Sequence, residues 1–183
     1  MNIGFDLDTV FIDYPPFVPD IVFDKFYKKN ADEHTLVYRI PGKPEQLLRY
    51  IIHHPLLRPP IQKNMLFLKE FAKTKHDLFL ISSRFGFLEK RTSDLVKRFG
   101  FDDLFKGLYF NFANKQPHLF KDAVIKKLKI QSYIDDDFAL VRYLAQKNPS
   151  VHFFWLNPKE TNAITKNITG ITSLEQIKNY LQK

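Results

Sequence analysis

The sequence predicts an α/β protein: a Rossmann-like, three-layer α/β/α sandwich with a mainly parallel five-stranded sheet and a small, mostly helical insertion. Three observations carry this. From Ile61 onward, short and almost wholly apolar runs such as Leu78-Phe79-Leu80-Ile81 alternate with longer segments of helical periodicity. Runs that are apolar at every position read as strands buried on both faces, the signature of a parallel sheet covered by helices. The polar residues that interrupt the pattern fall at the carboxyl ends of these runs, where open α/β sheets bind ligands.

Asn2 to Asp6 reads as the first strand, apolar at Ile3 and Phe5, with Asp6 at its end and Asp8 in the loop beyond. Residues 14–60 then break the pattern. Pro15, Pro16 and Pro19 open this stretch, and Pro41, Gly42, Pro44, Pro55, Pro59 and Pro60 punctuate the rest. Within it, Asp20 to Asn30 and Pro44 to His53 have amphipathic helical spacing (Ile21, Phe23, Phe26, Tyr27; Leu47, Leu48, Ile51, Ile52), and Thr35 to Ile40 reads as extended. Residues 14–60 are therefore expected to be a small, mostly helical insertion in a core made of 1–13 and 61–183. The core continues with a helix over 61–73, a strand over 77–82, and a helix over 87–99 stopped by Gly100. A strand over 107–112, a helix over 118–129 and a strand over 131–134 come next, the last running into Asp135-Asp136-Asp137. Asp137 is placed to cap the helix over 138–146. A strand over 151–156 and a helix over 173–182, with Ser173 as cap and Gln176 at its third position, close the chain.

Composition narrows the class. A chain of 183 residues, 44% hydrophobic and carrying 19 Phe, suits one domain with a sizeable core. It has no cysteine, which excludes disulfides, thiolate metal sites and a cysteine nucleophile. The start is strand-like, without a basic leader, and no run approaches the roughly 18 apolar residues of a membrane span. A cytoplasmic protein without a membrane partner is expected. The net charge of +8 and pI near 9.5 fit an anionic partner. A nucleic-acid footprint clusters its cations with aromatics on one face. Here Lys and Arg are dispersed, and the densest group, Lys126, Lys127 and Lys129, falls on a predicted helix. Nucleic acid is therefore not the expected partner. The sequence carries no signal of oligomeric state.

The chemistry starts from Asp6-Leu7-Asp8-Thr9-Val10. Two carboxylates this close repel each other unless a cation sits between them, and a hard, oxygen-loving ion such as Mg²⁺ suits them. Ser82 ends a second strand, Asp135 and Asp136 end a third, and a lysine-bearing helix precedes that third strand. In a parallel sheet these ends converge on one mouth. There a metal, a hydroxyl and a lysine can hold a phosphoryl group while one free carboxylate attacks it.

These residues resemble the haloacid-dehalogenase-like phosphohydrolases. The family's four motifs occur in order: Asp6-Leu7-Asp8-Thr9-Val10, Ser82, Lys121, and Asp135-Asp136. The resemblance covers residues 1–13 and about 61–156. It implies a Mg²⁺-dependent phosphohydrolase acting on a small phosphorylated substrate through an aspartyl-phosphate. In that reading Asp6 is the nucleophile, and Asp8 protonates the leaving alkoxide and then activates water. The metal is held by the Asp6 carboxylate, the Asp8 backbone carbonyl and a carboxylate of Asp135 or Asp136, with Asp136 preferred. Ser82 and Lys121 bind the phosphoryl group, and Lys121 also tethers Asp6. Ser83 is the alternative to Ser82, and Lys115 the alternative to Lys121. Arg84 either grips a substrate phosphate or pairs with a surface acid. His53, His54, Phe17, Tyr38 and Arg39 are further residues that a substrate can meet. Ile81-Ser82-Ser83-Arg84, Tyr133-Ile134-Asp135-Asp136 and the insertion directly after the first motif look most like the 5′(3′)-deoxyribonucleotidase-type branch. That branch implies a nucleoside monophosphate as substrate. Two alternatives stand beside this reading: an inactive binding protein on the same fold, and a basic nucleic-acid-binding module.

Overall fold

The computed structural model describes residues 1–16, 31–32, 35–156 and 163–181. Its strands are β1 (Asn2–Phe5), β2 (Ala31–Asp32), β3 (Thr35–Leu36), β4 (Asp77–Ser82), β5 (Gly107–Phe110), β6 (Ser132–Asp135), β7 (His152–Leu156), β8 (Ala163–Thr165) and β9 (Ile168–Ile171). Its helices are α1 (Lys43–Ile52), α2 (Gln62–Phe71), α3 (Glu89–Phe99), α4 (Phe101–Leu104), α5 (Pro117–Lys127), α6 (Phe138–Lys147) and α7 (Glu175–Leu181).

The main sheet has seven strands in the order β5-β4-β1-β6-β7-β9-β8, parallel throughout except for β8 at one edge. The five expected strands are its consecutive members β5-β4-β1-β6-β7, and two more extend it. The expectation of five fell short because Ile168-Thr169-Gly170-Ile171, although β-branched at three positions, is only four residues long and is interrupted by Gly170. It becomes one by pairing along β7, Phe153 opposite Ile168 through Leu156 opposite Ile171, and all four of its residues are buried.

Side chains alternate across the sheet. Ile3, Phe5, Leu78, Leu80, Ile134 and Phe154 pack with Phe67, Leu68 and Phe71 of α2, Leu95 of α3 and Ile177 of α7. Phe79, Ile81, Tyr133 and Phe153 point the other way, onto Val124 and Ile125 of α5 and Leu140, Val141 and Leu144 of α6. This double burial is why the strands read as continuous apolar runs. Gly4 lets the central strand approach its neighbour: a Cβ there would lie 2.7 Å from the Tyr133 ring, whose hydroxyl is tied to the Ile81 carbonyl at 3.1 Å.

Element ends follow local chemistry. The helix expected from residue 87 begins as a 3₁₀ turn, Gly86–Leu88, before α3, and it ends at Gly100 in the left-handed conformation (φ 65°). The strand expected to reach Phe112 stops at Phe110, because the Asn111 side chain exchanges two hydrogen bonds with the Lys115 backbone and turns the chain. Asp137 caps α6 as expected, its Oδ1 accepting from the Ala139 and Leu140 amides. Before α7, the Gln176 side chain reaches back to the Thr172 and Ser173 amides. Lys126 pairs with Asp122 one turn earlier on the exposed face of α5, consistent with a solvated helix face.

The segment 14–60 leaves and rejoins the core at one place. The Asp13 amide donates to Pro59, the Ile61 amide to Phe11, and Asn64 Nδ2 to the Val10 carbonyl. Its described part holds the antiparallel pair β2–β3 and the helix α1. The helix expected over 20–30, with Ile21, Phe23, Phe26 and Tyr27, lies outside the described residues. In α1 the amphipathic reading is corrected: Leu47, Leu48 and Ile51 are exposed, whereas Arg49 is 4% exposed. Arg49 is turned inward toward the mouth of the sheet, where it pairs with Glu45 at 2.5 Å. Among the described residues no helix is long and apolar enough to cross a membrane.

Candidate active site

The carboxyl ends of β1, β4 and β6 open into one cavity of about 200 Å³. Its floor is acidic. Asp6 follows β1, and its amide donates to the Ile134 carbonyl, which extends the pairing to β6 and fixes the carboxylate beside Asp135 and Asp136. Carboxylate oxygens of Asp6, Asp135 and Asp136 lie within 4.8 Å of one another. The Lys121 ammonium, on α5 and 2% exposed, bridges two of them, 2.9 Å from Asp6 Oδ1 and 2.6 Å from Asp135 Oδ2. Asp135 also accepts from the Asp137 amide, and the Trp155 indole N–H donates to the Asp136 carbonyl. The pair is thus held on both sides.

This arrangement places strain in the charges. Burial pushes the Asp6 carboxyl up to about 7, with Lys121 opposing and Asp135 and Asp8 adding to the rise. Burial, then Asp135 and Asp6, also hold Asp136 well above the usual carboxylate range. The Lys121 ammonium is held well above the ordinary lysine value, because Asp135 and Asp6 outweigh its burial. Asp135, already matched by Lys121 and an amide, leaves Asp136 and Asp6 as the acids short of positive charge.

Asp8 takes a different place from the other three. Its carboxylate turns away from the acid cluster to two arginines. Arg84, just past β4, holds it with a two-bond fork (Nε to Oδ2 at 2.8 Å, Nη2 to Oδ1 at 2.7 Å), and Arg58 Nη2 reaches Oδ1 at 2.6 Å. Burial opposes ionisation of Asp8, but Arg84 and then Arg58 hold it well below the usual carboxylate range. Its backbone carbonyl accepts from Thr9 Oγ1 at 2.6 Å. Thr9 itself has a positive φ of 59°, an uncommon backbone for a β-branched residue, in the turn that carries both acids.

Ser82 and Ser83 both line the cavity, Ser82 at the end of β4 and 1% exposed. The Ser83 hydroxyl is buried with no hydrogen-bond partner among the described residues. Lys121 rather than Lys115 reaches the acids, since Lys115 meets Asn111 through its backbone outside the cavity. Tyr38, Arg39 and His53 also line the cavity. The Tyr38 hydroxyl donates to Asp137 at 2.8 Å, and its backbone exchanges two bonds with the Gln116 side chain, which straps the insertion across the mouth. His54 does not line the cavity, and Phe17 lies outside the described residues.

Besides Arg49, a cavity-lining residue that sequence reasoning missed is Arg58. It sits between Leu57 and Pro59 in a proline-rich return segment, and its only signal was a lone charge where the insertion rejoins the core. Arg84 is expected either to grip a substrate phosphate or to pair with a surface acid; it pairs with an acid, but that acid is Asp8 of the first motif. Its fork onto Asp8 needs a contact across 76 positions of chain.

No family model and no curated protein matches the sequence. Solved structures do match the fold. A haloacid dehalogenase-like family hydrolase from Streptococcus pneumoniae superposes with a TM-score of 0.62 at 13% identity, covering 98% of this chain and 97% of that one. A similar hydrolase from Xanthomonas campestris gives 0.60 at 10% identity, over 99% and 94% of the two chains. A HAD family enzyme from Bacteroides thetaiotaomicron, in complex with magnesium and inorganic phosphate, gives 0.52 at 18% identity, over 87% and 95%. The chain therefore has the fold of the haloacid dehalogenase-like hydrolases.

Proposed function

We propose that the protein is a Mg²⁺-dependent phosphohydrolase that works through an aspartyl-phosphate on Asp6 and acts on a small phosphomonoester. The gathering of Asp6, Asp135 and Asp136 around Lys121 at the strand ends, beside Ser82, carries this reading. Three carboxylates within 4.8 Å form a hard oxygen donor set, and two of them resist ionisation while no divalent charge matches them. The residues fit Mg²⁺, held by the carboxylates of Asp6 and Asp136 and the Asp8 carbonyl. Bound there, the ion supplies charge neutralisation for the acids and for one phosphate oxygen. The magnesium and phosphate in the Bacteroides thetaiotaomicron enzyme support the same reading.

In the first half-reaction an Asp6 oxygen forms a bond to phosphorus while the bond to the leaving alkoxide breaks. Lys121 holds Asp6 in place and meets the phosphoryl charge, and Ser82, with Ser83 beside it, offers hydroxyl donors. In the second half, water attacks phosphorus, the Asp6–phosphate bond breaks, and the water proton passes to a base. Asp8, ionised by its two arginines, suits that base role. Donating a proton to the leaving group in the first half calls for Asp8 to exchange its arginine contacts. Residues 14–60 act as a cap that excludes water and selects the leaving group. The cavity is small beside the roughly 300–1,000 Å³ of clefts for drug-sized ligands. That favours a leaving group smaller than a nucleoside.

The test is phosphate release from nucleoside monophosphates, sugar phosphates and p-nitrophenyl phosphate, with Mg²⁺ and with EDTA. Turnover that EDTA removes and Mg²⁺ restores is expected. No turnover across the whole panel would sink the enzymatic reading and leave a binding protein on this fold.

A second expectation concerns pH. The raised folded-state value of Asp6 gives the metal-free protein stability that is full below about pH 4 and is lost as pH rises through about 7. Mg²⁺ binds the deprotonated acids, so its stabilisation grows over the same window. In thermal melts, Mg²⁺ is expected to raise Tm by several degrees more at pH 8 than at pH 5.5. An equal Mg²⁺ effect at both values would place the ion elsewhere.

A further inference from the structure

We infer that Trp155 is a positioning residue for the metal: its indole N–H fixes the main chain of Asp136, and with it the direction in which the Asp136 carboxylate meets Mg²⁺. The inference rests on the phosphohydrolase reading and extends the site to a residue outside the four motifs.

Lys121 places two of the three clustered acids by bridging Asp6 and Asp135, and the third, Asp136, is placed differently. β6 ends at Asp135, which stands opposite Trp155 in the parallel ladder with β7. Asp136 is the first residue past that ladder, where strand pairing no longer sets the backbone. The indole N–H takes over there and donates to the Asp136 carbonyl at 2.9 Å. The same ring packs on Phe138, with centroids 4.6 Å apart and planes tilted by 40°, so one side chain grips the turn on both sides of Asp137. Asp137 itself donates its amide to Asp135 Oδ1, caps α6 through its own Oδ1 and accepts from the Tyr38 hydroxyl through Oδ2. The tie from Trp155 is to the Asp136 main chain, and the carboxylate stays with Asp6 and Asp135 in the cavity, where the Thr9 side chain bonds to it.

Phe153 and Phe154 of the same strand are buried core residues, whereas Trp155 is half-buried at the strand's carboxyl end with its polar edge on the acidic turn. A buried indole N–H usually finds an acceptor. Here the acceptor belongs to a residue whose carboxylate holds the metal, so the bond orients a ligand from behind, as outer hydrogen bonds at metal sites do. Mg²⁺ demands near-ideal octahedral geometry, whereas Ca²⁺ accepts an irregular one. Losing the Trp155 bond therefore weakens Mg²⁺ more than Ca²⁺, while general loosening of the fold weakens both alike.

Trp155 is the only tryptophan in the chain, so the native protein gives a single indole N–H resonance. In the substrate-free full chain, Mg²⁺ is expected to move that resonance saturably and to slow its exchange with solvent, with the same Kd that the rise in Tm reports. Trp155→Phe keeps a ring against Phe138 and removes the donor. It is expected to melt near the native Tm in EDTA and, in melts against ion concentration at fixed pH, to bind Mg²⁺ about 10–100-fold more weakly, with a smaller loss for Ca²⁺. Native Mg²⁺ affinity in the folded variant, or equal losses for the two ions, overturns the positioning role and leaves the phosphohydrolase standing. An indole resonance that ignores Mg²⁺ while Tm rises does the same. Mg²⁺ that changes neither Tm nor the resonance overturns the metal-dependent reading, and the role of Trp155 falls with it. The native resonance decides the matter even where Trp155→Phe fails to fold.

Discussion

Asp6→Asn is expected to abolish Mg²⁺-dependent phosphate release, with kcat reduced on the order of 10⁴-fold or more, the scale of losing a covalent nucleophile. The amide oxygen is a poor nucleophile, and the other acids of the site are committed elsewhere, Asp136 to the metal in the reading proposed above. Asp135 is bound by Lys121 and the Asp137 amide, and Asp8 is turned to the arginines. The fold should survive the change. The substitution keeps the shape of a side chain that is 7% exposed and removes a buried charge that resists ionisation, and Lys121 retains Asp135 as a partner. Thermal melting in EDTA should therefore show a Tm equal to or above that of the native protein. A folded Asp6→Asn protein with native kcat would remove the mechanism proposed here.

Lys121→Met is the second large effect, and it separates stability from chemistry. Lys121 is the cation that the floor contributes from within the chain. Deleting it leaves the Asp6 and Asp135 carboxylates facing each other in a buried site. Removing one member of a buried charge group costs roughly 3–5 kcal/mol. Methionine fills the volume of the aliphatic stem, so the loss reports charge rather than a cavity. A large drop in Tm is expected in EDTA. Saturating Mg²⁺ should recover part of it, about 2.7 kcal/mol at a concentration one hundred times Kd. Activity should remain low even in the refolded, metal-loaded variant, by about 10²–10³-fold, because the phosphoryl group has lost a preorganised cation. An unchanged Tm in EDTA together with unchanged kinetics would show that Lys121 neither neutralises the floor nor meets the substrate.

The floor of the site was legible in the sequence because topology does most of the work there. A parallel sheet sends every strand's carboxyl end to one side, so Asp6, Ser82 and Asp135-Asp136 had to converge once their runs were read as strands. Lys121, chosen over Lys115, followed from the resemblance, which sets a lysine on the helix before the strand that ends in the acidic pair. The roof was not legible. Arg58 meets Asp8 from 50 positions away, and Arg49 turns inward on a helix whose leucines point outward. Both depend on how an irregular proline-rich segment lies over the mouth, which no periodicity encodes.

By itself, then, the sequence determined the layered fold, its five central strands and the acids, hydroxyl and lysine at their ends, because burial on two faces and helical spacing leave a direct imprint on residue order. Only the tertiary structure decided that the sheet runs on to β9 and β8, and that Asp8 is held by Arg84 and Arg58 apart from the acid cluster. Those outcomes come from pairing and charge contacts between segments distant in the chain, and their energies depend on geometry that residue order alone does not record.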